Sequence, residues 1–471
     1  MSDHGATREK RFHVLAWMVA ALLAAFGCWR LLGAWGEGVS SGHDFVQDYA
    51  AILKISDGRN PYEPYNDVTQ QLFGGPPHRG KLYSFHAPSS LPFFLWLLAF
   101  HWAAGYAGAF LAWGVASLAG LWAICALTLR HLGTEYVGAG RLGARRAWAA
   151  GALAALALVA LPPIRENFEE GQLNVLVMAG VIGCWATLRS GRTVLAGALL
   201  GAAFALKPIP GLFFLYFLWR REWRLLVASG ATLAVLGIWG VRLSGIDGAW
   251  TWATVNYPDH AAVWPGYPDN ASLRGFFTRI FGPSEWRPRP PYDVPGAAMG
   301  LTLVSGAILA ALGWLAARRP RRLPPHLDLE FALVCLFTLL VTPIVWPHYY
   351  VVLVMPLALV TTTLVHLLLG SAQPSPPTML VRPMLVRRTV ERWKVMGALA
   401  VLLGATSLLA TAQYVEPFGR VGGQQLTALL AVYAVSLLTL RWARRASYVV
   451  PVSERESVAD AHGARATASM H

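Results

Sequence analysis

TVLAGALLGAAFALKPIPGLFFLYFLW, residues 193–219, is a pair of apolar runs interrupted by Lys207-Pro208-Ile209-Pro210. A helix needs about 20 apolar residues to cross a bilayer, so neither half crosses alone. Each proline removes a backbone donor and clashes with the preceding turn, so one helix cannot run through the middle. The stretch predicts a hairpin of two short helices with its tip on the outer side. Broken backbone survives at membrane depth only where protein or a wet cavity covers it. Lys207, at that tip, is therefore a candidate site residue.

Apolar stretches near this length recur on both sides of the hairpin. Of 471 residues, 55% are hydrophobic and only 14% charged, against about 25% charged in an ordinary soluble domain. That makes the chain an all-α polytopic membrane protein. Its formal net charge of +14 does not call for nucleic acid, because the basic residues cluster in short loops. The clusters are Arg8, Lys10 and Arg11; Arg141, Arg145 and Arg146; Arg220, Arg221 and Arg224; and Arg318, Arg319, Arg321 and Arg322. Arg382, Arg387, Arg388, Arg392 and Lys394 form another, and Arg441, Arg444 and Arg445 the last. A positive-inside orientation accounts for all of them. Cys28, Cys125, Cys184 and Cys335 lie inside apolar runs without CxxC spacing, which argues against disulfides and structural metal.

Working from the basic loops, spans are expected at 13–35, 105–130, 147–163, 172–188, the two hairpin halves, 224–243, 296–317, 328–346, 349–370, 394–413 and 424–443. That gives about 12 transmembrane helices, each half of the short hairpin counted as one, with both termini cytoplasmic. Residues 88–100 are expected as a short helix at the outer interface and 244–295 as a long outer polar loop. Residues 1–445 form one domain in this reading, and 446–471 a polar, disordered cytoplasmic tail.

The outer side then collects most of the unusual polar residues. Gly42-His43-Asp44-Phe45-Val46-Gln47-Asp48-Tyr49 sets two carboxylates one helical turn apart on a shared face. Asp44 reads in two ways: a catalytic base at the membrane surface, or an N-cap with Gln47 closing a capping box. The same side carries Tyr83-Ser84-Phe85-His86-Ala87-Pro88, then Glu169, Glu170, Gln172 and Asn174, and Asn270-Ala271-Ser272-Leu273-Arg274 with Arg279. Trp346-Pro347-His348-Tyr349 completes the set. Each alone has an ordinary reading as solvated loop, headgroup contact or interfacial residue. Convergence of carboxylates, cations and a broken helix on one side of a bundle points to a site.

Read in order, these segments resemble glycosyltransferase family 87. The residues that carry the likeness are Asp44-Phe45 with Tyr49-Ala50-Ala51, Gly58-Arg59-Asn60-Pro61-Tyr62, Gly171-Gln172-Leu173-Asn174 and Ala205-Leu206-Lys207-Pro208-Ile209-Pro210. Asn270-Ala271-Ser272-Leu273 with Arg279, and Pro343-Ile344-Val345-Trp346-Pro347-His348, complete them. The ordered set covers about residues 12–370. One departure is His348-Tyr349, where the family often carries His-His. The resemblance implies a GT-C type bundle with its active site on extracytoplasmic loops, in a bacterial plasma membrane. It implies transfer of a sugar, mannose or a pentose such as arabinofuranose, from a polyprenyl phosphate to a glycolipid or cell-envelope glycan.

Such a transfer displaces a phosphate, which gains negative charge without needing a proton. Cations in a water-poor site stabilise that charge, the role expected of Lys207, Arg274, Arg279 and His348. The acceptor hydroxyl needs one general base for inversion, the role expected of Asp44; Asp48 keeps open a retaining route with a carboxylate nucleophile. Glu170, Gln172, Asn174 and Asn270 are the expected sugar or acceptor ligands. No cofactor or metal is expected, since no DxD-like carboxylate pair stands ready for a nucleotide diphosphate. Membrane lipids and the two lipid-linked substrates are the expected partners. The competing class is a transporter or glycolipid flippase, which also uses broken helices, but at the bilayer midplane and between inverted repeats. A non-enzymatic scaffold for envelope assembly is a third reading.

Overall fold

The computed structural model describes residues 3–41, 44–74, 82–136, 144–286, 288–294, 296–317, 324–369, 392–411 and 423–447. Its elements are helical throughout: α1 (Asp3–Ser41), α2 (Phe45–Ser56), α3 (Asn66–Phe73), α4 (Leu97–Tyr136), α5 (Ala144–Val159) and α6 (Pro162–Glu169). Next come α7 (Asn174–Arg189), α8 (Thr193–Leu206), α9 (Gly211–Trp219), α10 (Trp223–Thr251), α11 (Tyr257–Val263) and α12 (Leu273–Phe281). The last are α13 (Ala297–Ala317), α14 (Pro324–Val341), α15 (Val354–Leu369), α16 (Arg392–Thr411) and α17 (Gly423–Ser447). Gly42, His43, the basic clusters at 141–143, 318–322 and 382–388, and the tail beyond 447 lie outside the described residues.

Among the described residues, six helical stretches are long and apolar enough to cross a membrane, or seven if α5 and α6, bent by 89°, are one broken span. They divide into two groups. Val14–Ser41, Trp223–Gly266 and Ala297–Ala317 bury 17, 17 and 6% of their apolar window, whereas Leu97–Leu132, Pro347–Leu368 and Gln424–Ala443 bury 50, 56 and 61%. The first group lies at the periphery of the bundle and the second in its interior. The helices α7 and α8, of 16 and 14 residues, rise only about 24 and 21 Å, short of a ~30 Å hydrocarbon core. Most of α7 is buried against protein, which is where a short helix can end at membrane depth.

The hairpin predicted from residues 193–219 is present: α8 stops at Leu206, α9 begins at Gly211, and the break falls on Lys207–Pro210. What holds α8 is close packing on α10. A Cβ on Gly197 would lie 2.3 Å from the Leu225 carbonyl oxygen, and one on Gly201 2.5 Å from that of Ser229. The Ser229 hydroxyl donates to the Gly197 carbonyl at 2.8 Å. Small residues four apart let two backbones touch in lipid, where helices have no hydrophobic drive to associate.

One expectation is corrected. Residues 244–295, expected as a long polar loop, begin as helix: α10 continues to Thr251, a π-turn covers Trp252–Asn256 and α11 follows to Val263, before the loop that carries α12. Gly245 (φ +70°) kinks this run without ending it, and Pro258 falls in the first turn of α11, where its missing donor breaks no bond.

At the end of the bundle where α7 and α9 finish and α14 starts, two buried ion pairs tie the three together. Arg189 pairs with Asp328, which also accepts from Trp185 Nε1 at 2.8 Å. Arg220 lies 2.8 Å from Glu330, which accepts from the Tyr216 hydroxyl at 3.1 Å. Removing one partner strands a buried charge, so Glu330→Ala is expected to destabilise the fold by about 3–5 kcal/mol. Thermal unfolding in detergent should show it; replacing Glu330 and Arg220 together by leucine and methionine should recover most of the loss. An unchanged midpoint in Glu330→Ala would contradict this.

Candidate active site

At the opposite end of the bundle the breaks meet: the start of α7, the Lys207–Pro210 tip, the start of α2 and the 343–348 segment after α14. Phe45 anchors α2 there. Its N–H donates to the Glu170 carbonyl at 2.9 Å, and its ring packs against Tyr106, Phe110 and Trp113. Gly171 turns the chain from α6 into α7 at φ +64°, where a Cβ would come 2.5 Å from that of Phe45. Only glycine combines that backbone with that space. Trp113 Nε1 holds the turn through the Gly171 carbonyl at 2.9 Å, and Gln172 is delivered beside Asp44.

Asp44 is not capping α2. Its backbone is itself helical (φ −61°, ψ −29°) and its side chain makes no cap hydrogen bond. Gln47 does not close a box either; its Oε1 accepts from the Phe85 N–H at 3.2 Å. Instead the Asp44 carboxylate accepts a short hydrogen bond from the Gln172 amide. The other end of that amide accepts from Lys207 Nζ at 3.3 Å, and Lys207 also donates to Asn174 Oδ1 at 3.1 Å. Gln172 is thus a spacer one amide long between a carboxylate and an ammonium. The Lys207 ammonium also lies 4.3 Å from the centroid of the Tyr349 ring, a cation–π contact. The residue standing in place of the family's second histidine supplies that ring face.

From Asn174 the network runs on. Asn174 donates to Asn167 Oδ1 at 3.3 Å, and Asn167 donates to the His348 carbonyl at 2.9 Å. His348 Nδ1 lies 3.2 Å from Glu166 Oε1. On the other side of Asp44, Asp48 is buried with His86, Oδ1 to Nδ1 2.8 Å.

Electrostatics follow from burial. Desolvation brings the Lys207 amine down to about 8, against the pull of Asp44 and Asp48 to keep it charged. Burial raises the Asp48 carboxyl, opposed by His86. Burial also raises Glu170, and the Asp44 and Glu166 carboxylates add to it, so Glu170 resists becoming a further anion. His260 is stacked on Phe85 with centroids 3.9 Å apart. Among the described residues no three His, Cys, Asp or Glu side chains group as ligands for a metal ion.

Of the residues singled out from sequence, Asp44, Gln172, Asn174 and Lys207 share one hydrogen-bond network, with His348 at its far end. Glu170 adjoins it through the backbone. Asn270 and Arg279 sit in a neighbouring layer: Asn270 Oδ1 accepts from the Ser272 and Val345 N–H groups at 3.1 and 3.0 Å. Arg279 donates to the Tyr267 and Asn270 carbonyls at 2.8 and 2.9 Å. Asn270 thereby braces the segment that leads to His348, and Arg279 holds the turn that carries Asn270. Arg274 lies half-buried on α12. Sequence reading assigned no role to Asn167, Glu166 or His86. Asn167 and Glu166 are embedded in a charged loop that looks solvated, and His86 is a lone histidine before Pro88; partners far along the chain define all three.

A family model for glycosyltransferase family 87 matches residues 91–343, more than half of the chain. The chain belongs to glycosyltransferase family 87. The matched stretch carries Gln172, Asn174, Lys207, Asn270, Arg274 and Arg279; Asp44, Asp48, His86 and His348 flank it, and the fold brings Asp44 and His348 to it. The glycosyltransferase is 36% identical over 213 residues to a polyprenol-phosphate-mannose-dependent alpha-(1-2)-phosphatidylinositol mannoside mannosyltransferase of Mycolicibacterium smegmatis, covering 44% of this chain and 45% of that one. It is 34% identical over 197 residues to a polyprenol-phosphate-mannose-dependent alpha-(1-2)-phosphatidylinositol pentamannoside mannosyltransferase of Mycobacterium tuberculosis, covering 41% of each. The glycosyltransferase therefore aligns with less than half the length of these curated relatives. No solved structure matches it.

Proposed function

We propose that this glycosyltransferase moves mannose from a polyprenyl-phosphate donor to a hydroxyl of a lipid-linked acceptor, with inversion at the anomeric carbon. The carrying observation is the Asp44–Gln172–Lys207 arrangement, a base and a cation held apart by one amide. In the reaction, Lys207 faces the donor phosphate and Asp44 faces the acceptor hydroxyl on the opposite side of the sugar. The hydroxyl oxygen bonds to C1 as the C1–O bond to phosphate breaks. Asp44 takes the hydroxyl proton, and the phosphate leaves with the additional negative charge. A cation fixed in a water-poor site stabilises that charge without reorganising. Buried Asn174 and Gln172 offer amide groups for sugar hydroxyls, and no metal enters the scheme. Purified protein given radiolabelled polyprenyl-phosphate mannose and a phosphatidylinositol mannoside should place label in the glycolipid. Failure of transfer with an active relative as positive control would refute the donor or the acceptor.

The topology that goes with this reading has about 12 apolar segments, of which α7, α8 and α9 are too short to cross unaided, and an outward-facing site. A cysteine introduced at Glu63 should react with an impermeant thiol reagent in intact cells, and one at Arg192, beyond α7, should not. The reverse pattern would invert the map.

A further inference from the structure

His86 has no part in the scheme above, yet it is tethered and buried. Its Nδ1 lies 2.8 Å from Asp48 Oδ1, and the two side chains are 7 and 2% exposed. Holding one ring nitrogen fixes the ring, and Nε2 on its other edge is buried with no protein partner among the described residues. A buried ring nitrogen left unmatched is costly, so this position calls for a ligand atom. Its placement says which part of the ligand. Ser89, three residues on, donates to the Ala205 carbonyl at 2.9 Å, two residues before Lys207. The Tyr62 hydroxyl fixes the His86 carbonyl at 3.0 Å.

We propose that His86 is a further ligand of the donor phosphate, presenting Nε2–H to one of its oxygens, and that Asp48 is the residue that positions it. The inference rests on the donor reading of the Lys207 site. An anionic phosphodiester against Nε2 favours the form of the ring that carries hydrogen there, with Asp48 accepting from Nδ1. A ring with hydrogen on Nδ1 alone would instead offer a lone pair at Nε2 and suit a sugar hydroxyl. His348 repeats the arrangement, with Nδ1 3.2 Å from Glu166 and a buried Nε2 that has no protein partner among the described residues.

The test uses the full chain in lipid nanodiscs, with a short-chain polyprenyl phosphate as probe and the matching polyprenol as control. Wild type should bind the phosphate and not the alcohol; no binding by wild type would remove the donor reading itself, and the role of His86 with it. Given wild-type binding, His86→Ala should weaken it roughly tenfold to a hundredfold, the scale of one charge-assisted hydrogen bond. His86→Gln returns an N–H to nearly the same place and should stay within about threefold of wild type. Should His86→Ala fail to fold, His86→Phe keeps the ring and removes the donor, and its affinity decides. Asp48→Asn should raise the KM for donor and lower kcat modestly while leaving the KM for acceptor unchanged, a split that general loss of structure does not produce. Unchanged polyprenyl-phosphate affinity in a folded His86→Ala or His86→Phe protein, with a raised acceptor KM, would overturn the proposal in favour of a hydroxyl contact. Phosphatidylinositol competing as strongly as polyprenyl phosphate would overturn it in favour of an acceptor phosphate.

Discussion

Asp44→Asn is expected to reduce turnover by roughly 10²–10⁴-fold, the scale of a lost acid–base group, while expression, unfolding temperature and donor binding stay near wild type. The substitution keeps an oxygen that can accept the Gln172 amide, so the network around Lys207 survives. What it removes is the ability to take a proton. A capping role would predict no effect on turnover, because asparagine caps as well as aspartate, and the helical backbone and absent cap bond of Asp44 already argue against that role. Initial rates at saturating donor and acceptor decide the matter. Activity retained in Asp44→Asn and lost in Asp48→Asn would transfer the base to the other carboxylate.

Lys207→Ala is expected to weaken polyprenyl-phosphate affinity roughly tenfold to a hundredfold, as removal of a buried charge-assisted contact does. The loss has a pH signature. The Lys207 amine is brought down to about 8 by burial, so its charged form is complete well below that value and disappears as pH rises through it. Donor affinity in wild type should therefore fall above about pH 8. Lys207→Arg should retain part of the affinity and lose that fall, since a guanidinium stays charged throughout the range. A lysine that only snorkels toward headgroups would give equal donor affinity in Lys207→Ala and wild type.

The parts of this fold governed by chain-local physics are readable in the sequence. The break at Lys207–Pro210 follows from two prolines, and the short helix over 45–56 from apolar spacing ahead of Gly58. The membrane setting follows from apolar runs in a chain with few charges. Residues 244–266 look like loop from their polar composition, yet one kink at Gly245 and a first-turn proline in α11 leave the helix free to continue. At the site, the residue types could be gathered from sequence, but their pairing could not. Asp44 and Asp48 look equivalent at i and i+4, yet one meets Gln172 from the start of α7 and the other meets His86 from the segment before α4. Nothing within α2 distinguishes them. Asn270 and Arg279 show the converse: their motif reads as a ligand set, while the bonds described here go to backbone.

In the proposed reaction the two ends of the Gln172 amide serve two functions, proton removal at Asp44 and phosphate binding at Lys207. Measuring polyprenyl-phosphate affinity and single-turnover transfer side by side in Asp44→Asn and Lys207→Ala tests it most directly. The account predicts wild-type affinity with transfer lost in Asp44→Asn, and lost affinity in Lys207→Ala with transfer recovered in part at high donor concentration. Equal loss of donor affinity in both variants would contradict it, because the network would then act as one binding unit with no separate base.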